Sequence, residues 1–440
     1  MELGQILPAI GNNVFIIVAF VVALSVIVAV HEYGHYIVGR WSGIHAEVFS
    51  IGFGKVLASR VDKRGTRWQI AALPFGGYVK FLGDANAASV GGTADVAGFS
   101  PRNTMLGAPL WARAATVAAG PIFNFILAVL IFAGYLMWQG QPSDPVTVAR
   151  LHDLPPQYTS ELQPGDEIIA INGNALDAPE TMEALPVTPQ IPYEIRRDGQ
   201  EMTVQGPYPL PPRVAGLNPR SAADEAGLRI GDVIEAIDGE PVFAFQQIVD
   251  KVTAAGGTPL TLTVWRAGET LDFTLSPRRV DLPLPEGGFE TRWLMGISAD
   301  NFFVPATERV GPWTALKSGA EQLWWRITTS LSGLWHIITG GISSCNLSGP
   351  VGIAQASGAM ASQGAGSFVL FIGMLSAAVG LLNLFPIPIL DGGHLVFHAY
   401  EAVFRRKPSD RALQVLMAGG LAIVGTLMVF ALLNDLVLCP

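Results

Sequence analysis

Four stretches of the chain are apolar on every side of a helix: residues 13–38, 114–138, 367–390 and 412–434. A bilayer core takes about 20 such residues, so each predicts a membrane-spanning helix. Between 139 and 366 the pattern changes to short β-rich runs separated by Gly, Pro, Asn and Asp, which predicts strands and turns. Residues 311–340 differ again. Leu323-Trp324-Trp325-Arg326 and Leu334-Trp335-His336 stand among scattered polar positions, the pattern of an amphipathic helix at a membrane interface. His336 is interfacial in that reading.

The loop between the first two spans also carries strand patterns. Residues 48–54, 67–73 and 77–81 alternate or are punctuated by glycine, and Asp62-Lys63-Arg64-Gly65 predicts the turn of a hairpin. Strands this apolar can dip into a membrane if their backbone groups pair with one another; an ordinary cytosolic hairpin is the alternative. Residues 84–104 are small and polar and predict a flexible loop.

The long polar region contains a repeat. Leu162-Gln163-Pro164-Gly165-Asp166-Glu167-Ile168-Ile169-Ala170-Ile171-Asn172-Gly173 returns 66 positions later as Leu228-Arg229-Ile230-Gly231-Asp232-Val233-Ile234-Glu235-Ala236-Ile237-Asp238-Gly239. Each copy reads as a turn, a strand and a tight Asn-Gly or Asp-Gly turn. The motif resembles the Leu-x-x-Gly-Asp-x-Ile-x-x-Ile-x-Gly signature of PDZ domains, which bind extended peptides by strand addition. Two such domains are expected, over 143–210 and 211–280. The second has the fuller lead-in, Ser221 to Leu228; the first has Leu154-Pro155-Pro156-Gln157-Tyr158 in that place. A connector (281–366) follows, flanked by membrane segments over 1–138 and 367–440.

Half of the residues are hydrophobic and 14% are charged, low for a soluble protein of this size. Residues 39–113 hold nine Lys/Arg against four Asp/Glu, and 391–411 add Arg405, Arg406, Lys407 and Arg411. The positive-inside bias puts both loops in the cytoplasm and the region 139–366, with 14 Lys/Arg against 26 Asp/Glu, outside. Its acidity reads as a solvated surface and argues against a nucleic-acid partner. No small-residue cleavage site follows the first apolar run, which reads as an uncleaved anchor. Cys345 and Cys439 are the two cysteines; neither has metal-ligand spacing, and a disulfide between them is one open reading.

The chemistry is concentrated at the end of the first span. His31-Glu32-Tyr33-Gly34-His35 puts two imidazoles one helical turn apart on one face, where both can bind one Zn²⁺, with Glu32 beside them to take a proton from water. Ionisable groups are costly at this depth, so they mark a function; a wet helix end is the bland alternative. The third span ends Asn383-Leu384-Phe385-Pro386-Ile387-Pro388-Ile389-Leu390-Asp391-Gly392-Gly393-His394. Its prolines interrupt the helix, and by the charge argument Asp391 lies at the same membrane face as His31 and His35. Asp391 fits as third ligand of a zinc with one open position. His394 is the rival ligand, and a helix cap is the other role for Asp391. Three function classes remain in view: a zinc endopeptidase, a metal transporter and a non-catalytic scaffold.

His31-Glu32-x-x-His35, Gly120-Pro121-Ile122-Phe123-Asn124 and Asn383-x-x-Pro386-x-Pro388-x-Leu390-Asp391-Gly392 together resemble the site-2 protease family of intramembrane zinc metalloproteases. Further matching runs are residues 49–55, 74–80 and 346–350. The resemblance implies a polytopic α-helical membrane protein with four transmembrane helices, a membrane-associated β-sheet and two extracytoplasmic PDZ-like α+β domains. It implies one zinc held by His31, His35 and Asp391, with Glu32 as general base. The sheet, with Gly52, Gly54, Tyr78, Val79 and Lys80, would pair with an unwound substrate helix that Asn383, Pro386 and Pro388 help to hold. The family cleaves single-span membrane proteins after another protease has removed their outer domain. Members with tandem PDZ domains act on an anti-sigma factor and on remnant signal peptides, in the inner membrane of Gram-negative bacteria with the PDZ region in the periplasm.

Overall fold

The computed structural model describes residues 3–83, 100–175, 185–284 and 287–438. Most of the expected loop 84–104, the segment 176–184 and Cys439 lie outside the described residues. The chain divides into two compact units, Met1–Tyr135 with Pro312–Pro440, and Leu136–Gly311.

Among the described residues the first unit is helical apart from one sheet. Four of its helices are long and apolar enough to cross a membrane: α1 (Leu3–Trp41), α2 (Leu110–Gln139), and two near the C-terminus, α6 (Ala365–Asn383) and α8 (Asp410–Leu433). All four expected spans are present. The third differs at its end: the helix stops at Asn383, and residues 384–390 form a loop. Pro386 and Pro388 cannot donate to a helical ladder and bias the preceding residues towards extended backbone. A new helix, α7 (Asp391–Phe404), then starts at the aspartate itself. The first unit also contains α4 (Pro312–Ile338), the expected amphipathic helix, and α5 (Pro350–Ser362), which the hydrophobic pattern does not reveal. Cys345 is disulfide-bonded.

The end of α1 is set by local rules. Gly43 adopts a positive φ of 85°, Ile44 N–H bonds the Gly39 carbonyl and Gly43 N–H bonds that of Arg40. This 6→1 and 5→2 closure stops the helix just past Arg40, and the buried Ile44 seals it. The chain then enters β1 (Ala46–Val61), turns at Asp62, and returns as β2 (Arg67–Phe81). Asp62 Oδ1 accepts from the N–H groups of Arg64 and Thr66, which is why an Asx turn occurs here. The pair is folded on itself. Val48 to Ile51 pair with Lys80 to Gly77 on one side and with Arg67 to Ile70 on the other, while Arg67 to Ile70 also pair with Val61 to Ala58. Gly52 and Gly54, with φ of 92° and 82°, allow β1 to bend. Phe53, Leu57, Ile70 and Leu73 remain exposed on this sheet.

The second unit contains the two repeats. In the first, β3 (Val148–Leu151), β4 (Glu167–Ile171), β5 (Ile191–Arg197) and β6 (Gln200–Gly206) surround a core of Ile168, Ile191, Tyr193 and Ile195. In the second, β7 (Gly216–Leu217), β8 (Val233–Ile237), α3 (Phe245–Ala255), β9 (Leu260–Arg266) and β10 (Glu269–Leu275) surround Ile234, Ile248, Leu262 and Val264. The stretches 143–210 and 211–280 do not contain everything these cores use. β11 (Ile297–Ser298) pairs with β7, and Met295 is buried in the second core. β12 (Phe303–Pro305) pairs with β3, and Phe302 and Phe303 are buried in the first. Thus the second repeat lies within the chain segment that completes the first.

The repeated Gly-Asp has a physical reason. Asp166 is 1% exposed, accepts from Gln163 N–H, and receives two hydrogen bonds of 2.7 Å from Arg197. Asp232 is 1% exposed and does the same with Arg229 N–H and Arg266. Each carboxylate thereby ties its turn to the last strand pair. Burial by itself raises the Asp166 carboxyl, but Arg197 and the Gln163 amide outweigh it and hold it below the usual range.

We expect Asp166→Asn to destabilise the first repeat by about 2–4 kcal/mol at pH 7, since it leaves Arg197 without its countercharge. A depressed folded-state pKa stabilises fully above the unfolded value of about 4, and the contribution fades as pH falls through the folded value. The wild type and the variant should therefore converge below about pH 4 in calorimetric unfolding; a constant gap would contradict this account.

Candidate metal centre

The site is assembled from three helices. His31 and His35 are one turn apart on α1, and Asp391 is the first residue of α7. His31 Nε2 lies 3.1 Å from His35 Nε2 and 3.1 Å from Asp391 Oδ2, and His35 Nε2 lies 3.5 Å from the same oxygen. A triangle with these sides has its corners about 1.9 Å from a common centre, against zinc–nitrogen and zinc–oxygen bonds of about 2.0–2.2 Å.

With neutral imidazoles, both rings turn a lone pair towards the middle of this triangle. His35 Nδ1–H donates to the Thr116 carbonyl of α2 at 2.8 Å, which leaves the lone pair on Nε2. His31 Nδ1 faces the Asn124 side-chain amide at 3.2 Å. Asn124 Oδ1 is buried without a partner; turning the amide over satisfies it with the His31 Nδ1–H and again leaves the lone pair on Nε2. Asp391 Oδ2 is likewise buried and receives no hydrogen bond. Three lone pairs pointing at one another repel unless a cation lies between them. The donor set of two imidazoles and a carboxylate fits zinc. Among the described residues these three form the one group of His, Cys, Asp and Glu close enough to share a metal. His394, the rival ligand, is outside it and stacks edge-on against Phe397.

Glycines let the helices approach closely enough. A Cβ at Gly120 would stand 2.3 Å from His35 Nε2, and one at Gly34 would stand 2.5 Å from the Ala119 carbonyl. Gly34 and Gly120 therefore bring α1 and α2 into backbone contact, with the imidazoles lying on α2. The same holds for the Asp391 half. A Cβ on Gly392 would meet the Leu384 carbonyl at 2.2 Å, and one on Gly393 the Ile387 carbonyl at 2.3 Å. The loop after α6 thus folds flat on the start of α7 and aims Asp391. Ten residues on, Glu401 accepts two hydrogen bonds from Arg113 of α2, at 2.9 and 2.7 Å. This bidentate pair joins α7 to α2, the helix whose Thr116 and Asn124 hydrogen-bond the two histidines.

Glu32, next to His31 on α1, lies against the sheet. A Cβ on Gly77 would come within 3.1 Å of Glu32 Cγ, and the Val79 backbone hydrogen-bonds its carboxylate. The residues Gly77 to Phe81 pair with β1 on one side; on the other, no strand joins them among the described residues. Tyr78 stacks on Phe53 and its hydroxyl accepts from Gln69, while Lys80 pairs with Glu47 at 3.0 Å. Gly52 and Gly54 are at the bend of β1 rather than in this strand. Asn383 closes α6, Pro386 is in the loop, and Pro388 packs near Gly420 of α8. The sequence marks Asn124 and Gly120 only as part of the run 120–124, and it marks neither Arg113 nor Glu401. A polar Asn and a Gly-Pro inside an apolar span are the signal for the first two. Nothing local marks the Arg113–Glu401 pair, whose members are 288 positions apart.

A profile of Peptidase family M50 matches residues 19–427. A protein of Agrobacterium fabrum, named as a candidate zinc metalloprotease, is 37% identical over 442 residues, covering 99% of each chain. A similarly named protein of Rhizobium meliloti is 36% identical over 432 residues, 97% of each. The "Regulator of sigma-E protease RseP" of Salmonella typhimurium is 31% identical over 453 residues, 95% of this chain and 97% of the relative.

Asn124→Leu should weaken zinc binding about 10- to 100-fold by releasing His31, measured as retained zinc against a chelator series. Gly120→Ala should lose zinc more severely while far-ultraviolet circular dichroism stays unchanged. Undiminished zinc in both variants would remove α2 from the account of the site.

Proposed function

Since the chain belongs to Peptidase family M50, and is thus a membrane-embedded zinc metalloprotease, we propose that it hydrolyses peptide bonds within the transmembrane segments of single-span membrane proteins. The observation that carries this reading is the meeting of two halves. The triangle of His31, His35 and Asp391 and an unpaired strand side of β2 both lie next to Glu32.

In this reading His31, His35 and Asp391 hold one zinc, which when bound polarises the scissile carbonyl and lowers the pKa of the attacking water. Glu32 takes the proton of that water and returns it to the leaving amine. The substrate helix must first unwind, because its peptide bonds are shielded by their own hydrogen bonds, and its freed backbone groups need partners away from bulk water. The open side of Gly77 to Phe81 supplies them by strand addition, with Tyr78, Val79 and Lys80 alongside the bound segment. Asn383, Pro386 and Pro388 border the approach from the Asp391 side, and Gly52 and Gly54 shape the sheet behind it.

The two repeats act as PDZ-like domains outside the cytoplasm, supported by the shared Gly-Asp motif and the strand–turn geometry at Asn172-Gly173 and Asp238-Gly239, where both turn residues have positive φ. They restrict access to substrates already shortened by an upstream protease. With a relative named as a regulator of sigma-E protease, an anti-sigma factor and remnant signal peptides are the substrate classes we assign, in the inner membrane with the repeats in the periplasm.

Glu32→Gln should retain zinc and lose cleavage of a tagged single-span peptide in detergent by at least about 100-fold. Cleavage by the variant at wild-type rate would remove Glu32 as the base. Bound zinc with no cleavage by either protein, across several single-span peptides, would favour metal transport or a scaffold role.

A further inference from the structure

A second polar feature lies within the helical unit, away from the zinc ligands. α4 is not confined to the surface. A Cβ at its Gly319 would stand 2.8 Å from the Val129 carbonyl of α2, and its Leu323 packs with Ala128, Phe132 and Ala377. The helix therefore lies against two membrane spans. One turn beyond Leu323, Arg326 lies over the Phe132 ring at 5.4 Å and the Trp325 ring at 5.9 Å. Its Nε is buried and has no hydrogen-bond partner, and no acidic side chain among the described residues acts on it.

Beside Arg326 is a partly open cavity of about 240 Å³ between α4 and α6. Arg326, Thr329 and Ser330 face it from α4; Met374, Ala377 and Leu381 form its apolar wall on α6. One wall thus carries an arginine, a threonine and a serine, and the other is apolar. An arginine without a countercharge among spanning helices is costly and needs an anion within reach. Trp324 and Trp335, both well exposed on α4, are of the type that sits at the headgroup level.

We propose that this cavity is a phospholipid site. The phosphate of one lipid accepts hydrogen bonds from Arg326, and the upper part of an acyl chain lies along Met374, Ala377 and Leu381. A phosphate matches the guanidinium fork and can accept from the neighbouring hydroxyls as well. A substrate helix about 10 Å across does not fit a space of this size. The bound lipid fills the gap between α4 and α6 and fixes their spacing.

The test uses the full chain, delipidated in detergent and titrated with phosphatidylglycerol, with bound lipids counted by native mass spectrometry. Wild type is expected to retain one phosphatidylglycerol that Arg326→Gln binds about tenfold or more weakly. Arg326→Lys should recover part of the affinity, which a merely structural fault would not do. Diacylglycerol, which has the chains but no phosphate, should not occupy the site, and inorganic phosphate alone should not either. Equal retention by wild type and Arg326→Gln overturns the proposal, as does equal binding of diacylglycerol. Saturation by inorganic phosphate alone would make the site one for a free anion. Loss of peptide-substrate binding in Arg326→Gln with lipid retention intact would make it a substrate contact.

Discussion

Three lone pairs from opposite ends of the chain converge on one buried point, and that convergence is tolerable only around a cation. His31 and His35 come from the first span, and Asp391 comes 356 positions after His35. Desolvating a carboxylate beside two unprotonated imidazole nitrogens has no local compensation. The energy that holds the arrangement together without metal must come from the helices, and with metal from the ligand bonds themselves. Packing within the first unit brings these three atoms within about 3.5 Å of each other.

The devices that do so are small. Gly34 and Gly120 remove side chains at the crossing of α1 and α2, so the imidazoles rest on helix backbone. Thr116 and Asn124 then set which nitrogen of each ring carries its proton. Gly392 and Gly393 let the proline loop lie on the start of α7, which places Asp391 at the helix N-terminus beside the histidines. Arg113 and Glu401 hold α7 against α2 with two parallel hydrogen bonds in a partly buried place. Each device acts through geometry, and each is one or two residues deep.

The sheet meets a different constraint. Its exposed Phe53, Leu57, Ile70 and Leu73 suit hydrocarbon, where every backbone group needs a partner. Folding β1 and β2 on each other satisfies most of them with two strands' worth of chain. What is left is the free side of Gly77 to Phe81, next to Glu32. An unpaired strand side is a liability in most proteins; here it lies beside Glu32.

Much of this protein was legible in the order of its residues. The four spans follow from run length, because a bilayer sets a length that local composition must meet. The spacing of His31 and His35 follows from helical geometry, and the repeat of Gly-Asp shows itself by recurrence. The turn at Asp62 is likewise local. What only the tertiary structure decided is everything that depends on separation along the chain. Asp391 rather than His394 joins the histidines because the proline loop and two glycines set where α7 begins. Phe302 and Phe303 complete the first repeat across the whole of the second. Asn124 and Thr116 orient the rings, and Arg113 finds Glu401. A pattern read along the chain records which side of an element is apolar or polar; it does not record which distant backbone comes close enough to touch, and that proximity is what makes this site.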